Sequence, residues 1–152
     1  MQRALVVVGD TDTHEELLRE AGELAAGDGS ELLLLSMLTE TEFEESYEEM
    51  EEVARTEGTP YSDQAILESA RERARGVAED ALAGVDVAYE TVAVVVEGGI
   101  RADEIIETAE REGCDHVFLV GQKRSPTGKA IFGDMAQAVA LNFDGPVTIR
   151  MA

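Results

Sequence analysis

The 152-residue sequence contains few of the residues that build metal sites and disulfides. The single cysteine, Cys114, excludes a disulfide within the chain and a cluster of cysteine metal ligands. The two histidines, His14 and His116, are too few and too far apart to predict a zinc site. There is no run of about 20 apolar residues, as a transmembrane helix requires, and no signal-peptide cleavage site near the N-terminus. We therefore expect a soluble, cytoplasmic protein.

Basic residues are also scarce. The chain has 12 lysines and arginines against 33 aspartates and glutamates, for a formal net charge of -21. A surface of this sign repels nucleic acid and anionic membranes, so we expect neither as a partner. The acids are spread along the chain rather than collected in a tail. This distribution is typical of a halophilic protein, since a salty cell interior screens the self-repulsion.

Alternating helical and strand patterns predict an α/β fold. Continuous apolar runs predict buried strands at residues 4–8, 32–38, 85–96, 116–120 and 146–151. Apolar residues at helical spacing predict helices from Thr13 to about 27, and at 59–83, 102–112 and 134–143. Thr13 and Glu16 form a candidate capping box for the first helix. This order favours an open, five-stranded parallel sheet with helices on both faces, in a single domain of residues 1–152.

Residues 39–59 differ from the rest of the chain because glutamates crowd them. We interpret this segment as a solvated loop or a loosely held acidic helix, with Phe43, Tyr47 and Met50 as anchors. A solvated face is the simpler interpretation, and a mobile acidic lid over a ligand cleft is the alternative.

Ligands of open parallel sheets bind at the carboxyl ends of the strands. In this chain those ends are residues 9–12, residues 37–39 and the segment from Gly121 onward. The loop from Gly121 to Gly133 contains both lysines of the chain, Lys123 and Lys129, and no acid. On so acidic a protein, this placement indicates an electropositive site.

The composition of the Gly121–Gly133 loop suits a phosphate group. Glycines allow backbone N–H groups to approach a ligand closely, and the helix that follows points its positive end at the same place. The candidate ligand contacts are Gly121, Lys123, Arg124, Ser125, Thr127, Gly128, Lys129, Gly133 and Asp134. The alternative is a tight turn at residues 125–128, with the basic side chains paired to neighbouring carboxylates.

The loop resembles the nucleotide loop of the universal stress protein (UspA-like) family. That loop reads glycine, two residues, glycine, nine residues, and then glycine followed by serine or threonine. Gly121 matches its first position and Gly133 its last glycine. A first strand ending in Val8-Gly9-Asp10, a variable segment after the second strand and the closing residues 145–149 are also similar, so the resemblance covers essentially the whole chain.

The resemblance implies a Rossmann-like sheet of the adenine nucleotide alpha hydrolase type, with strand order 3-2-1-4-5. It also implies a stress-response regulator that binds ATP or another adenine nucleotide, with Mg²⁺ accompanying it, and that forms a homodimer through the last strand. Asp10 would contact the base or ribose of the nucleotide. An Asx-type turn that closes the first strand explains Asp10 equally well.

The loop also departs from the family pattern. Arg124 stands in place of the second glycine, the spacing to Gly133 is one residue short, and Asp134 replaces the serine or threonine. A carboxylate at this position repels phosphate and can cap the helix by itself, although Lys123, Arg124 and Lys129 can compensate. AMP, ADP or another phosphate-bearing ligand therefore competes with ATP. A protein-interaction module of the same fold without nucleotide binding is the alternative function.

The remaining candidate residues favour structural roles. Asp12 and His14 could touch a metal on bound phosphates, but we expect His14 to be exposed in the first helical turn. His116 and Cys114 are expected to be packed residues. Since no nucleophile–base pair is found, we expect at most slow ATP hydrolysis. An enzyme acting on a phosphorylated metabolite is the least favoured function.

Overall fold

A computed structural model describes residues 1–57, 63–97, 101–122 and 134–152, with the backbone alone at 53–57. The strands are β1 (Arg3–Val7), β2 (Glu31–Thr39), β3 (Tyr89–Val96), β4 (His116–Gly121) and β5 (Val147–Met151). They form one parallel sheet in the order β3-β2-β1-β4-β5. The predicted fold class and strand order are confirmed. The chain moves outward from β1 to β3 and then returns to the other side of β1, so the order reverses between β1 and β4.

In the described part of the chain, five helices cover the two faces of the sheet: α1 (Asp12–Asp28), α2 (Glu40–Glu57), α3 (Asp63–Ala81), α4 (Arg101–Arg111) and α5 (Asp134–Asn142). Successive residues of a strand point to opposite faces. Ala4 and Val6 of β1 therefore pack in the core with α1 and α3, while Leu5 and Val7 pack in the core with α4 and α5. Because both faces are buried, the strand reads as a continuous apolar run.

The first helix begins earlier than predicted. Thr11 is the N-cap, with an extended backbone, and its side chain accepts a hydrogen bond from the His14 backbone N–H at 3.2 Å. The capping box of Thr13 and Glu16 is therefore wrong, because Thr11 already satisfies a free N–H of the first turn. The helix ends at the left-handed C-cap Gly29, with φ 71°.

The acidic segment forms helix α2, the second of the two predicted interpretations. Phe43 and Met50 pack against a small core of Leu38, Ile66 and Ala70, which fastens α2 beside the carboxyl end of β2. Tyr47 is partly exposed, and its ring lies 6.3 Å from that of Phe43. The acidic residues thus face solvent while two apolar side chains hold the helix in place.

Helix α3 packs closely because its inner face carries small side chains. Four buried alanines follow one another along it: Ala70, Ala74, Ala78 and Ala81. A tight contact with α1 occurs at Gly22, where an added Cβ would clash with Cδ2 of Leu82, the residue that follows α3. Gly22 is buried, so this contact sets the separation of α1 from the C-terminal end of α3.

β3 is shorter than predicted, starting at Tyr89 instead of residue 85. Its pairing with β2 begins at Leu32 and Tyr89, whereas Val85 closes a turn by donating its N–H to the Leu82 carbonyl at 2.9 Å. Four residues predicted as strand therefore lie before the ladder. The other strand bounds differ from the prediction by at most one residue.

Candidate functional site

A cleft of about 400 Å³ opens at the carboxyl ends of β1 and β2. Gly9 and Asp10, which follow β1, line it together with Met37 and Leu38 of β2. Both strand ends are among the three named from the sequence, which favoured the first and fourth strands; no residue of β4 is among the described residues that line the cleft. The cleft lies beside the point where the strand order reverses, which is where parallel sheets of this kind bind ligands.

His14 lies in the wall of this cleft and not out in solvent, so the expectation of an exposed histidine is wrong. The ring packs directly on Gly9, where an added Cβ would lie 2.7–2.8 Å from three ring atoms. Its Nδ1 lies 2.5 Å from Oγ1 of Thr11, the residue that caps α1. Burial lowers the pKa of His14, and the nearby carboxylate of Asp10 opposes that shift. A glycine at position 9 thus makes room for an imidazole at the mouth of β1.

Two arginines line the cleft as well, Arg73 of α3 and Arg101 at the start of α4. Arg73 donates a hydrogen bond to Oγ of Ser69 at 3.3 Å. Neither guanidinium forms an ion pair with a carboxylate in the described part of the chain. The other arginines with described side chains all form such pairs: Arg3, Arg19, Arg71, Arg75, Arg111 and Arg150. The cleft therefore holds positive charge that the described acids do not neutralise by contact.

Two carboxylates share the cleft with these arginines. Glu42 is held by Thr39, whose hydroxyl donates to Oε1 at 3.1 Å and accepts from the Glu42 backbone N–H at 3.1 Å. The Thr39 backbone N–H also donates to Oε1 of Glu42 at 3.5 Å, which completes a capping box at the start of α2. Asp10 is exposed at the end of β1. The cleft thus presents donors from the α3 and α4 side and an acid beside His14, a mixture that suits a ligand with both anionic and hydroxyl groups.

The predicted loop is only partly described. Gly121 is the buried last residue of β4, and its carbonyl accepts a hydrogen bond from the Ala152 N–H at 2.9 Å. Asp134 is the exposed first residue of α5, and the next residue, Met135, lines the cleft. The start of α5 therefore faces the same cleft as the end of β1. Seven predicted contacts lie outside the described residues: Lys123, Arg124, Ser125, Thr127, Gly128, Lys129 and Gly133.

His116 and Cys114 lie outside the cleft, at the amino-terminal end of β4. The His116 ring stacks on Phe118 at 4.4 Å, and its Nε2 lies 2.8 Å from Oγ1 of Thr148. Burial lowers the pKa of His116. Cys114 is buried, and burial raises the pKa of its thiol to about 11, which keeps it protonated at neutral pH. Both residues therefore have the packing roles that the sequence analysis expected.

Within the described residues, no group of three or more acidic, histidine or cysteine side chains is arranged to hold a metal ion. Asp12 and His14 thus belong to no such group there. None of the described helices combines the length and apolar character needed to cross a membrane.

Sequence reasoning missed Arg73 and Arg101. Arg73 lies on a helix between Arg71 and Arg75, and residue type alone does not distinguish it from these two neighbours. A usable signal was the absence of acids at helical spacing: residues 69, 70, 76 and 77 are Ser, Ala, Gly and Val. An arginine without a carboxylate three or four residues away has no ready partner on its own helix.

Comparison with known proteins places this arrangement in context. The model of the universal stress protein family matches residues 1–149. A universal stress protein from Archaeoglobus fulgidus is similar in structure, with a TM-score of 0.67, 24% identity and 98% of both chains covered. No protein with a curated functional description matches the sequence.

Two further solved structures are of proteins in complex with adenine nucleotides. The Archaeoglobus fulgidus universal stress protein in complex with dAMP has a TM-score of 0.61 and 18% identity, over 98% of this chain and 97% of that chain. A universal stress protein in complex with cAMP has a TM-score of 0.60 and 19% identity, over 99% of this chain and 96% of that chain. At these identities the likeness establishes the fold.

Proposed function

The chain belongs to the universal stress protein family, and we propose that it is a stress-response regulator that binds an adenine nucleotide in the cleft beside β1. The observation that carries this proposal is the cleft itself. It opens at the carboxyl ends of β1 and β2, beside the point where the strand order reverses, and Met135 at the start of α5 lines it. The positive ends of helices at such positions favour anionic ligands.

The similar structures support the choice of an adenine nucleotide. One universal stress protein was solved with dAMP and another with cAMP. In our proposal the phosphates contact the loop residues Lys123, Arg124, Ser125, Thr127, Gly128 and Lys129, with Mg²⁺ accompanying a triphosphate. Asp10 contacts the base or the ribose, since its carboxylate can accept hydrogen bonds from hydroxyl or amino groups.

Isothermal titration calorimetry with ATP, ADP and AMP tests the proposal. We expect binding to the wild type and a strong loss in the Lys123→Ala, Lys129→Ala double variant. Its matched control is the double variant Arg75→Ala, Arg111→Ala, which also removes two positive charges but from exposed sites outside the cleft. Absence of nucleotide binding by the wild type, or equal losses in the two double variants, would contradict the proposal.

The second candidate function is a protein-interaction module that does not bind nucleotide, and Asp134 is the observation that favours it. A carboxylate at the first residue of α5 places negative charge where the helix would otherwise attract phosphate. The Asp134→Ser variant separates the two functions. ATP affinity that appears only in this variant would favour the interaction module, and comparable affinity in both proteins would favour the nucleotide-binding regulator.

We also propose a homodimer that forms through β5. This strand forms one edge of the sheet, and all five of its residues are partly exposed. The free N–H and C=O groups of an edge strand can pair with another strand. Light scattering after size-exclusion chromatography should give twice the chain mass of 16.4 kDa. A monomer mass at all concentrations would contradict this part of the proposal.

The acidic composition leads us to infer a halophilic, cytoplasmic protein. Raising KCl from about 0.1 M to about 1 M shortens the screening length from about 10 Å to about 3 Å, which weakens the repulsion among the surplus carboxylates. We expect the midpoint of urea unfolding to rise across this range. An unchanged or falling midpoint would contradict adaptation to a high-salt interior.

A further inference from the structure

We propose that Arg73 and Arg101 form an anion-binding subsite at the carboxyl end of β2, and that this subsite binds a phosphate group of the ligand. The inference rests on the proposed function, because it takes the cleft as the ligand site. It adds a phosphate contact on the β2 and β3 side of β1, whereas the Gly121–Gly133 loop follows β4 on the other side.

The two arginines reach the cleft from opposite faces of the sheet. Helix α3, which carries Arg73, packs through Ala78 and Ala81 on the face that includes Val6. Helix α4, which begins with Arg101, packs through Ile105 and Ala109 on the face that includes Val7. Both side chains nevertheless line one cleft, which opens at the strand ends between the two helical layers. A ligand there is flanked by a guanidinium from each layer.

The charge balance makes this convergence unusual. The chain carries 33 acids and only 12 basic residues, so a carboxylate partner is easy to find. On α3 itself, Arg71 pairs with Glu68, and Arg75 pairs with Glu68 and Glu72. Among the arginines whose side chains the structure describes, the two without an ion pair to a described carboxylate are Arg73 and Arg101, and both line the cleft. Their guanidinium groups are therefore free to bind an anion supplied by a ligand.

The position of Arg101 gives an independent reason for an anionic ligand. A positive side chain at the first residue of a helix repels the positive end of the helix dipole, while Asp103 and Glu104 of the same turn are favourable. Arg101 therefore costs the free protein some helix stability. A phosphate bound beside it would be attracted by the guanidinium and by the helix end together.

The carboxylates of the cleft do not fill this role in the structure. Glu42 is engaged by the hydroxyl and N–H of Thr39. Within the described residues, no ion pair joins Glu42 or Asp10 to either arginine. A phosphate bound in the cleft would offer three or more acceptor oxygens to the planar, fork-shaped donor set of arginine. Neither carboxylate makes such a contact. The subsite is thus open to a phosphate monoester or diphosphate group.

Calorimetry on three single variants tests the subsite with ADP, adenosine and inorganic pyrophosphate as separate probes. The variants are Arg73→Gln, Arg101→Gln and the control Arg75→Gln, which removes an ion-paired arginine from the same helix. Circular dichroism in the same buffer verifies that each variant is folded. We expect Arg73→Gln and Arg101→Gln each to weaken ADP and pyrophosphate binding by about tenfold, which corresponds to about 1.4 kcal/mol. Adenosine binding, and all binding by Arg75→Gln, should stay at the wild-type level.

The probes separate this inference from the nucleotide proposal. If pyrophosphate binds through the two arginines while ADP does not bind, the subsite stands and the nucleotide function fails. If ADP and pyrophosphate bind equally well to all variants, the subsite is wrong and the nucleotide function stands. Equal losses for adenosine and ADP would also overturn the subsite, because they would indicate a structural role. If the wild type binds none of the probes, both proposals fail.

Discussion

Replacement of Gly22 by alanine should destabilise the protein even though alanine is the better helix former. Gly22 lies buried in α1, and the Cβ of an alanine would come within 2.3 Å of Cδ2 of Leu82 and 3.7 Å of Val85. The side chain of Leu82 would have to move by roughly 1 Å or more to restore an ordinary contact. Because Leu82 is itself buried, that movement disturbs the packing of α1 against α3.

The expected magnitude follows from two opposing terms. The gain in helix propensity from glycine to alanine is about 0.8–1.0 kcal/mol. Overpacking a well-filled core costs about 1–3 kcal/mol. The net effect of Gly22→Ala is then a loss of about 0–2 kcal/mol in the free energy of unfolding. Gly76 of α3 is the matched control, because nothing lies within 4 Å of its added Cβ. Gly76→Ala should gain about 0.8–1.0 kcal/mol.

Urea unfolding with linear extrapolation measures both variants under the same conditions. A cycle with Leu82→Ala isolates the contact, since Gly22→Ala should become stabilising once the leucine side chain is gone. The reasoning is refuted if Gly22→Ala stabilises the wild-type protein as much as Gly76→Ala does. That outcome would mean that α1 and α3 are not held at the separation described.

Three further predictions concern His14, His116 and Cys114. Gly9→Ala should displace the His14 ring and break the 2.5 Å contact between its Nδ1 and Oγ1 of Thr11. The free energy of unfolding, measured in urea, should then fall by about 1 kcal/mol. If Gly9→Ala caused a similar loss in a His14→Ala background, the ring contact would not be the cause. Burial lowers the pKa of His14 and His116 below the ordinary value of 6.5, so the unfolded chain binds more protons near that pH. The free energy of unfolding should therefore fall as the pH drops through 6.5. NMR titration should give both histidines a pKa below 6.5. A pKa above that value would contradict burial as the cause. Cys114, with a thiol pKa of about 11, should resist alkylation by iodoacetamide at neutral pH until urea unfolds the protein; rapid labelling of the folded protein would show that the thiol is accessible.

The sheet was predictable from the sequence because its strands are buried on both faces. A run such as Ala4 to Val7 is fully apolar, and a short continuous apolar run is what a strand buried on both faces requires. The strand order came from the family resemblance. The sequence could not decide between Thr11 and Thr13 as the N-cap of α1, because capping depends on which backbone N–H the hydroxyl reaches.

The strand ends predicted the edge of the sheet at which the cleft opens, but not most of the side chains that line it. Its floor follows from the strand ends, so Gly9 and Asp10 were foreseeable. Arg73 and Arg101 lie far apart in the sequence and meet only through the tertiary fold. The sequence analysis expected His14 to be exposed. Its ring occupies space that Gly9, five residues earlier, leaves free, and helical periodicity carries no information about such space.

The alanine face of α3 has a consequence for ligand size. Ala70 and Ala74 stand in the wall of the cleft, where a helix with leucine or methionine at these positions would project its side chains into the space that a ligand would take. Two methyl groups on one helix therefore contribute to the capacity of the cleft. In a relative with the same backbone, a longer apolar residue in place of either alanine would restrict the cleft to a smaller ligand or fill it completely. No change at the strand ends would be needed.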